Sequence, residues 1–100
     1  MSGSYKQTVV WQWLQAVPSA PGALGEMLRV MKGRVDMPQQ FPNKSYLYRY
    51  LTQRCKIDHA LADQSLDSVW SNYKGYRDLA IHNYSERPVR WDKGIGGYVI

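Results

Sequence analysis

Five prolines, at positions 18, 21, 38, 42 and 88, set what this chain of 100 residues can fold into. Proline has no backbone N–H and clashes with the preceding helical turn, so each one opens or ends a helix. Between the prolines, apolar residues recur at helical spacing. Tyr5 to Val17 places Val9, Trp13 and Val17 on one side, with Val10 and Leu14 beside them. Pro18, Pro21 and Gly22 close that segment. The next helix, Ala23 to about Val35, turns Leu24, Met27, Leu28 and Met31 inward and Glu26, Arg29 and Lys32 outward, with Gly33 at its end. Pro38 and Pro42 bracket a turn in which Phe41 is expected to plug the core.

Past Pro42, Asn43 is a candidate N-cap for a tyrosine-rich helix running to Lys56. Leu47, Leu51 and Cys55 form its apolar stripe with Tyr48 alongside, and Tyr46, Arg49, Tyr50 and Gln53 form the opposite one, with Arg54 at the margin. Asp58 caps a short helix, HALADQ, and Ser65 caps a longer one. On the longer helix Leu66, Val69, Trp70, Tyr73, Arg77, Ala80, Ile81 and Tyr84 share a face, and Gly75 bends or ends it early. After Pro88 the pattern changes to β-formers on both sides of Asp92-Lys93-Gly94, consistent with a short hairpin or an ordered tail. The expected fold is all-α: a small bundle of four to five helices over residues 1–87, with an appendage over 88–100.

A composition 44% hydrophobic and 13% aromatic is that of a packed domain and not of a disordered chain. The single cysteine, Cys55, excludes an internal disulfide and a Cys/His zinc set, and its place on the apolar stripe makes it a packing residue. No metal or cofactor is expected. Asp63 and Asp67 lack further oxygen ligands nearby, and Gly94-Ile95-Gly96-Gly97 lacks the Lys-Ser/Thr of a phosphate loop. The opening MSGSYKQTVVWQWL does not read as a signal peptide, and no apolar run approaches a membrane span, so a cytoplasmic protein is expected.

Charge is unevenly spread. Residues 1–57 hold eight basic side chains against Glu26 and Asp36, a net +6, whereas residues 58–100 carry a net −1. A basic first half favours an anionic partner, either nucleic acid or an acidic protein surface. Lys44, Tyr46, Arg49, Tyr50, Arg54 and Lys56 are the candidate nucleic-acid-binding residues, the cations for phosphates and the phenols for base stacking. The bland alternative packs Tyr46 and Tyr50 against the C-terminal tail. Trp13 and Trp70 read as core. Trp11 lies off the apolar face, and Trp91 and Tyr98 in the tail are candidate partner-binding residues for a protein-protein adaptor or inhibitor. Nothing in the sequence sets an oligomeric state.

The order of landmarks resembles the YozE-like family, small bacterial proteins with a fold similar to a sterile alpha motif. Trp13-Leu14, the Phe41-Pro42 turn, a tyrosine-containing helix ending at Leu51, and Leu66-Asp67-Ser68-Val69-Trp70 with Tyr73 carry the resemblance over roughly residues 9–73. It implies a binding module rather than an enzyme. The basic first half and the residues after Tyr76 depart from the family pattern, and a particular function, such as that of a phage or mobile-element protein, would sit there. A second resemblance is to the Arg-x4-His motif of HEPN ribonucleases, matched by Arg77 and His82, which would imply metal-independent RNA cleavage. The same spacing recurs at Arg54 and His59, and on a continuous helix Arg77 and His82 stand about 140° apart.

Overall fold

The computed structural model describes residues 8–83 and 87–100. Helix α1 (Val9–Ala16) is capped by Thr8, which adopts an extended backbone and whose Oγ1 accepts the Trp11 N–H at 3.1 Å. Tyr5 to Gln7 of the expected helix lie outside the described residues. Helix α2 (Gly22–Lys32) stops at Gly33, short of Val35, which is 67% exposed. In both helices the inward sets hold: Val10, Trp13, Leu14, Val17, Met27, Leu28 and Met31 are buried, and Val9 and Leu24 are partly buried.

Helix α3 (Lys44–Arg49) starts at the Asn43 cap, whose side chain accepts the Tyr46 N–H at 2.8 Å. It does not continue as an α-helix to Lys56. Residues Tyr50–Arg54 widen into a π-helical turn, closed by the Cys55 N–H on the Tyr50 carbonyl at 3.1 Å. Lys56 then takes a left-handed φ of 60°, and the Ile57 N–H returns to the Leu51 carbonyl at 3.0 Å, in the manner of a Schellman cap.

Helix α4 (His59–Ile81) is one uninterrupted rod of 23 residues where the sequence suggested two. Asp58 caps it by accepting the Ala60 N–H, as expected. Ser65 is no cap: it is buried, and its hydroxyl donates to the Leu61 and Ala62 carbonyls, a bond that satisfies a serine in a helix interior. Gly75 does not end the helix, which continues to Ile81. The buried stripe of α4 is Ala62, Ser65, Val69, Tyr73 and Tyr76, with steps of three and four residues. It shares Val69 and Tyr73 with the stripe read from the sequence and is rotated from the rest, so Leu66, Trp70, Arg77 and Ala80 are only half-buried and Ile81 is exposed. Tyr84 lies outside the described residues.

Helices α1, α2 and α3 all pack on α4, which forms the axis of the bundle. Their shared core centres on Trp13, Phe41, Leu47, Leu51, Val69 and Tyr73, all fully buried. The tail is a hairpin of β1 (Arg90–Asp92) and β2 (Gly97–Val99), antiparallel with Trp91 opposite Tyr98. Asp92 shapes its turn by accepting the Gly94 and Ile95 N–H groups, and Gly96 supplies a φ of +77°. The hairpin is no free appendage. Val89 is buried, the Tyr98 ring stacks edge-on against Tyr76 at 5.5 Å, and the Tyr98 hydroxyl donates to Asn72 on α4. The Trp13 indole N–H donates to that same Asn72 oxygen at 2.9 Å. No helix among the described residues is long and apolar enough to cross a membrane.

Candidate nucleic-acid interface

The basic face is assembled by α3, the π turn and the loop that leaves α2. In that loop the Arg34 guanidinium grips the Asp36 carboxylate in bidentate fashion, at 2.7 and 2.8 Å, and Met37 is buried behind it. Between this loop and α3 lies a cleft of about 380 Å³, walled by Asp36, Pro38, Tyr46 and Tyr50 and rimmed by Arg49 and Arg54. Gln53 stands in its wall as well. Arg34 holds the Asp36 carboxyl below the usual carboxylate range, with a smaller contribution from Arg54. The one acid of the cleft is therefore ionised and already engaged.

The six candidate residues do not stand alike. Arg49, Arg54 and Lys56 are exposed, and among the described residues none of the three forms an ion pair. Lys44 differs: its ammonium sits 2.7 Å from Asp67, because the first turn of α3 crosses the middle of α4. Tyr46 is 39% exposed and leans on Phe41, with ring centroids 6.1 Å apart. Tyr50 is the correction to the outward stripe. It is 5% exposed, its ring packs 5.4 Å from Phe41, and among the described residues its hydroxyl makes no hydrogen bond to nitrogen or oxygen. At i+3 from Leu47 it lies about 60° from that residue on a helix, at the edge of the apolar stripe. Burial pushes the Tyr50 phenol well above its ordinary value, and the buried Cys55 thiol beside it is raised for the same reason. Neither Tyr46 nor Tyr50 packs against the tail; Phe41 is their partner.

The π turn explains how two arginines come to one rim. Five residues along an α-helix is a rotation of about 140°, which would leave Arg49 and Arg54 on different faces. An i→i+5 turn brings residues five apart back nearly over one another. Asp36 in the wall and Arg34, which holds it, entered the sequence reading only as charges, although their i, i+2 opposite signs were a visible signal.

Trp91 and Tyr98, the candidate partner residues, pack on each other at 5.0 Å. Trp91 is half-buried and lies between two grooves. One, of about 570 Å³, runs between α1 and the hairpin and is lined by Trp11, Tyr76, Pro88, Arg90 and Lys93. The other, of about 740 Å³, runs along Ser68, Ser71 and Asn72 of α4. Tyr98 is committed to Asn72 and Tyr76.

Arg77 and His82 are not brought together as an acid–base pair. The Arg77 guanidinium lies over the Trp70 and Tyr73 rings, at 5.5 and 5.7 Å, and reaches the Phe41 carbonyl at 3.5 Å. His82 is the exposed C-cap of α4, with Nδ1 2.9 Å from the Asp78 carbonyl. His59 is exposed and pairs with the Tyr48 hydroxyl at 2.8 Å. Among the described residues no three His, Cys, Asp or Glu side chains gather as a metal site. Comparisons with protein-family models, curated proteins and solved structures gave no match.

Proposed function

We propose that this chain is a small, non-enzymatic nucleic-acid-binding protein that works in the cytoplasm and engages its target through α3 and the π turn. One observation carries the reading: Arg49 and Arg54, which form no ion pair among the described residues, share the rim of a cleft walled by Tyr46 and Tyr50, whose one acid, Asp36, is engaged by Arg34. Unpaired guanidinium groups beside aromatic rings are the chemistry of phosphate contact with base stacking. Lys56 adds a second hint. A lysine at φ 60° carries a strain that glycine would avoid, and such residues gather at functional sites. The YozE-like kinship belongs to the same proposal. Its landmarks Trp13, Leu14, Phe41, Leu51, Val69 and Tyr73 are buried, so they speak for a fold, and the binding face is this chain's own.

The test is a titration of labelled RNA and DNA over a series of salt concentrations, followed by inspection of the RNA for cleavage. Affinity should fall linearly with log salt, and Arg49→Ala should flatten the slope by about one. A slope unmoved by Arg49→Ala overturns the assignment. Cleaved RNA, abolished by His82→Ala, would instead favour the ribonuclease reading.

A second reading, a protein-protein adaptor, is favoured by Trp11 and Trp91 lining one groove with Arg90 and Lys93. Deleting residues 88–100 would test it poorly, because Tyr98 is built into the bundle. Trp11→Ala with Lys93→Ala should abolish partner capture if that groove is the contact.

A further inference from the structure

Building on the nucleic-acid reading, we propose that the cleft takes one unstacked nucleotide of a single strand, its phosphate shared by Arg49 and Arg54. Double helices are thereby disfavoured.

The size of the cleft is the first argument. About 380 Å³ lies at the small end of ligand pockets and suits a single nucleoside. A duplex presents a convex cylinder with its bases stacked inside, and nothing on its surface fills such a hollow. The walls are the second argument. Tyr46 offers a half-exposed ring face, Tyr50 and Pro38 offer apolar surface, and the Gln53 amide carries a donor and an acceptor suited to a base edge. The third is the π turn: Arg49 and Arg54, which an α-helix would set about 140° apart, both line this one cleft, where they can share a phosphate. Charge elsewhere on α3 does not extend the footprint, since Lys44 is held by Asp67.

The experiment measures fluorescence anisotropy of the whole chain with three probes of about twelve nucleotides: single-stranded RNA, single-stranded DNA and duplex DNA. At one salt concentration both single strands should bind about tenfold more tightly than the duplex, and a difference between them tells which sugar is preferred. Tyr46→Ala should weaken single-strand binding by about tenfold and leave the salt slope unchanged. Tyr46→Leu keeps the packing on Phe41 without the π face and should do the same. Arg49→Ala and Arg54→Ala should each weaken binding, and the double variant by less than the product of the two. A duplex bound as tightly as the single strands, or single-strand affinity untouched in both Tyr46 variants, overturns this inference and leaves the broader reading standing. No binding to any of the three overturns both.

Discussion

The Tyr73 hydroxyl accepts a hydrogen bond of 2.9 Å from the backbone N–H of Phe41, two residues that lie 32 apart in the chain. The bond fixes the Phe-Pro turn to the axis helix, and the Tyr73 ring completes the joint by meeting Phe41 and Trp13 edge-on at 5.2 and 5.3 Å. Because Tyr46 and Tyr50 also lean on Phe41, the interface inherits its position from this joint.

Tyr73→Phe should therefore cost about 1 to 3 kcal/mol, since it strands a buried backbone donor while keeping the ring. Urea denaturation should show the midpoint falling with an unchanged slope. An unaltered midpoint would mean that the Phe41 N–H finds another acceptor.

Tyr50→Phe should behave in the opposite way. Among the described residues its buried hydroxyl makes no hydrogen bond to nitrogen or oxygen and lies beside the weakly polar Cys55 thiol. Removing it should therefore be neutral or stabilise by up to about 1 kcal/mol. A loss of stability would reveal a partner for that oxygen.

Alkaline pH should destabilise the fold. Burial raises the Tyr50, Tyr73 and Tyr76 phenols and pushes Tyr98 up to about 12. The folded chain thus keeps protons that the unfolded chain releases near pH 10, and it binds more of them there. Stability is complete below that pH and declines as pH rises toward the folded values, with Cys55 adding to the decline from about pH 9. Melting temperatures from pH 8 to pH 11 should fall, and Tyr98→Phe should reduce the fall. A flat profile would refute the linkage.

Two glycines should answer alanine in opposite senses. A Cβ at Gly25 would meet the Ala20 carbonyl oxygen at 1.7 Å, so Gly25→Ala should cost about 3 kcal/mol. At Gly75 the nearest atom is the Tyr98 ring at 3.7 Å, and Gly75→Ala should add about 0.5 kcal/mol through helix propensity. Thermal melts of the two variants decide both signs.

The sequence disclosed what depends on neighbours along the chain. Asn43 and Asp58 cap as read, because a side chain bonding an N–H two or three residues on needs no other part of the fold. The apolar sets of α1 and α2 follow from helical period alone. Tyr50 was misplaced for two reasons: its i+3 relation to Leu47 was overlooked, and the π turn departs from the α period on which faces were drawn. Lys44 was counted as a free cation because Asp67, 23 residues away, reaches it only across packed helices. The Arg49–Arg54 rim was legible as residue types and not as a pair, since the widened turn has no signature in this stretch. The hairpin was one of two forms the tail could take, and its attachment through Asn72 was not legible, because a single asparagine announces nothing about its distant donors.

That asparagine gives the order of synthesis a physical meaning. One oxygen on α4 receives donors from Trp13 and from Tyr98, one from the first helix and one from the hairpin. A chain emerging from the ribosome can wind its helices early. The Trp13 donor arrives with the helices, whereas the Tyr98 donor joins only once residue 98 has left the tunnel, so this single acceptor is filled in two stages.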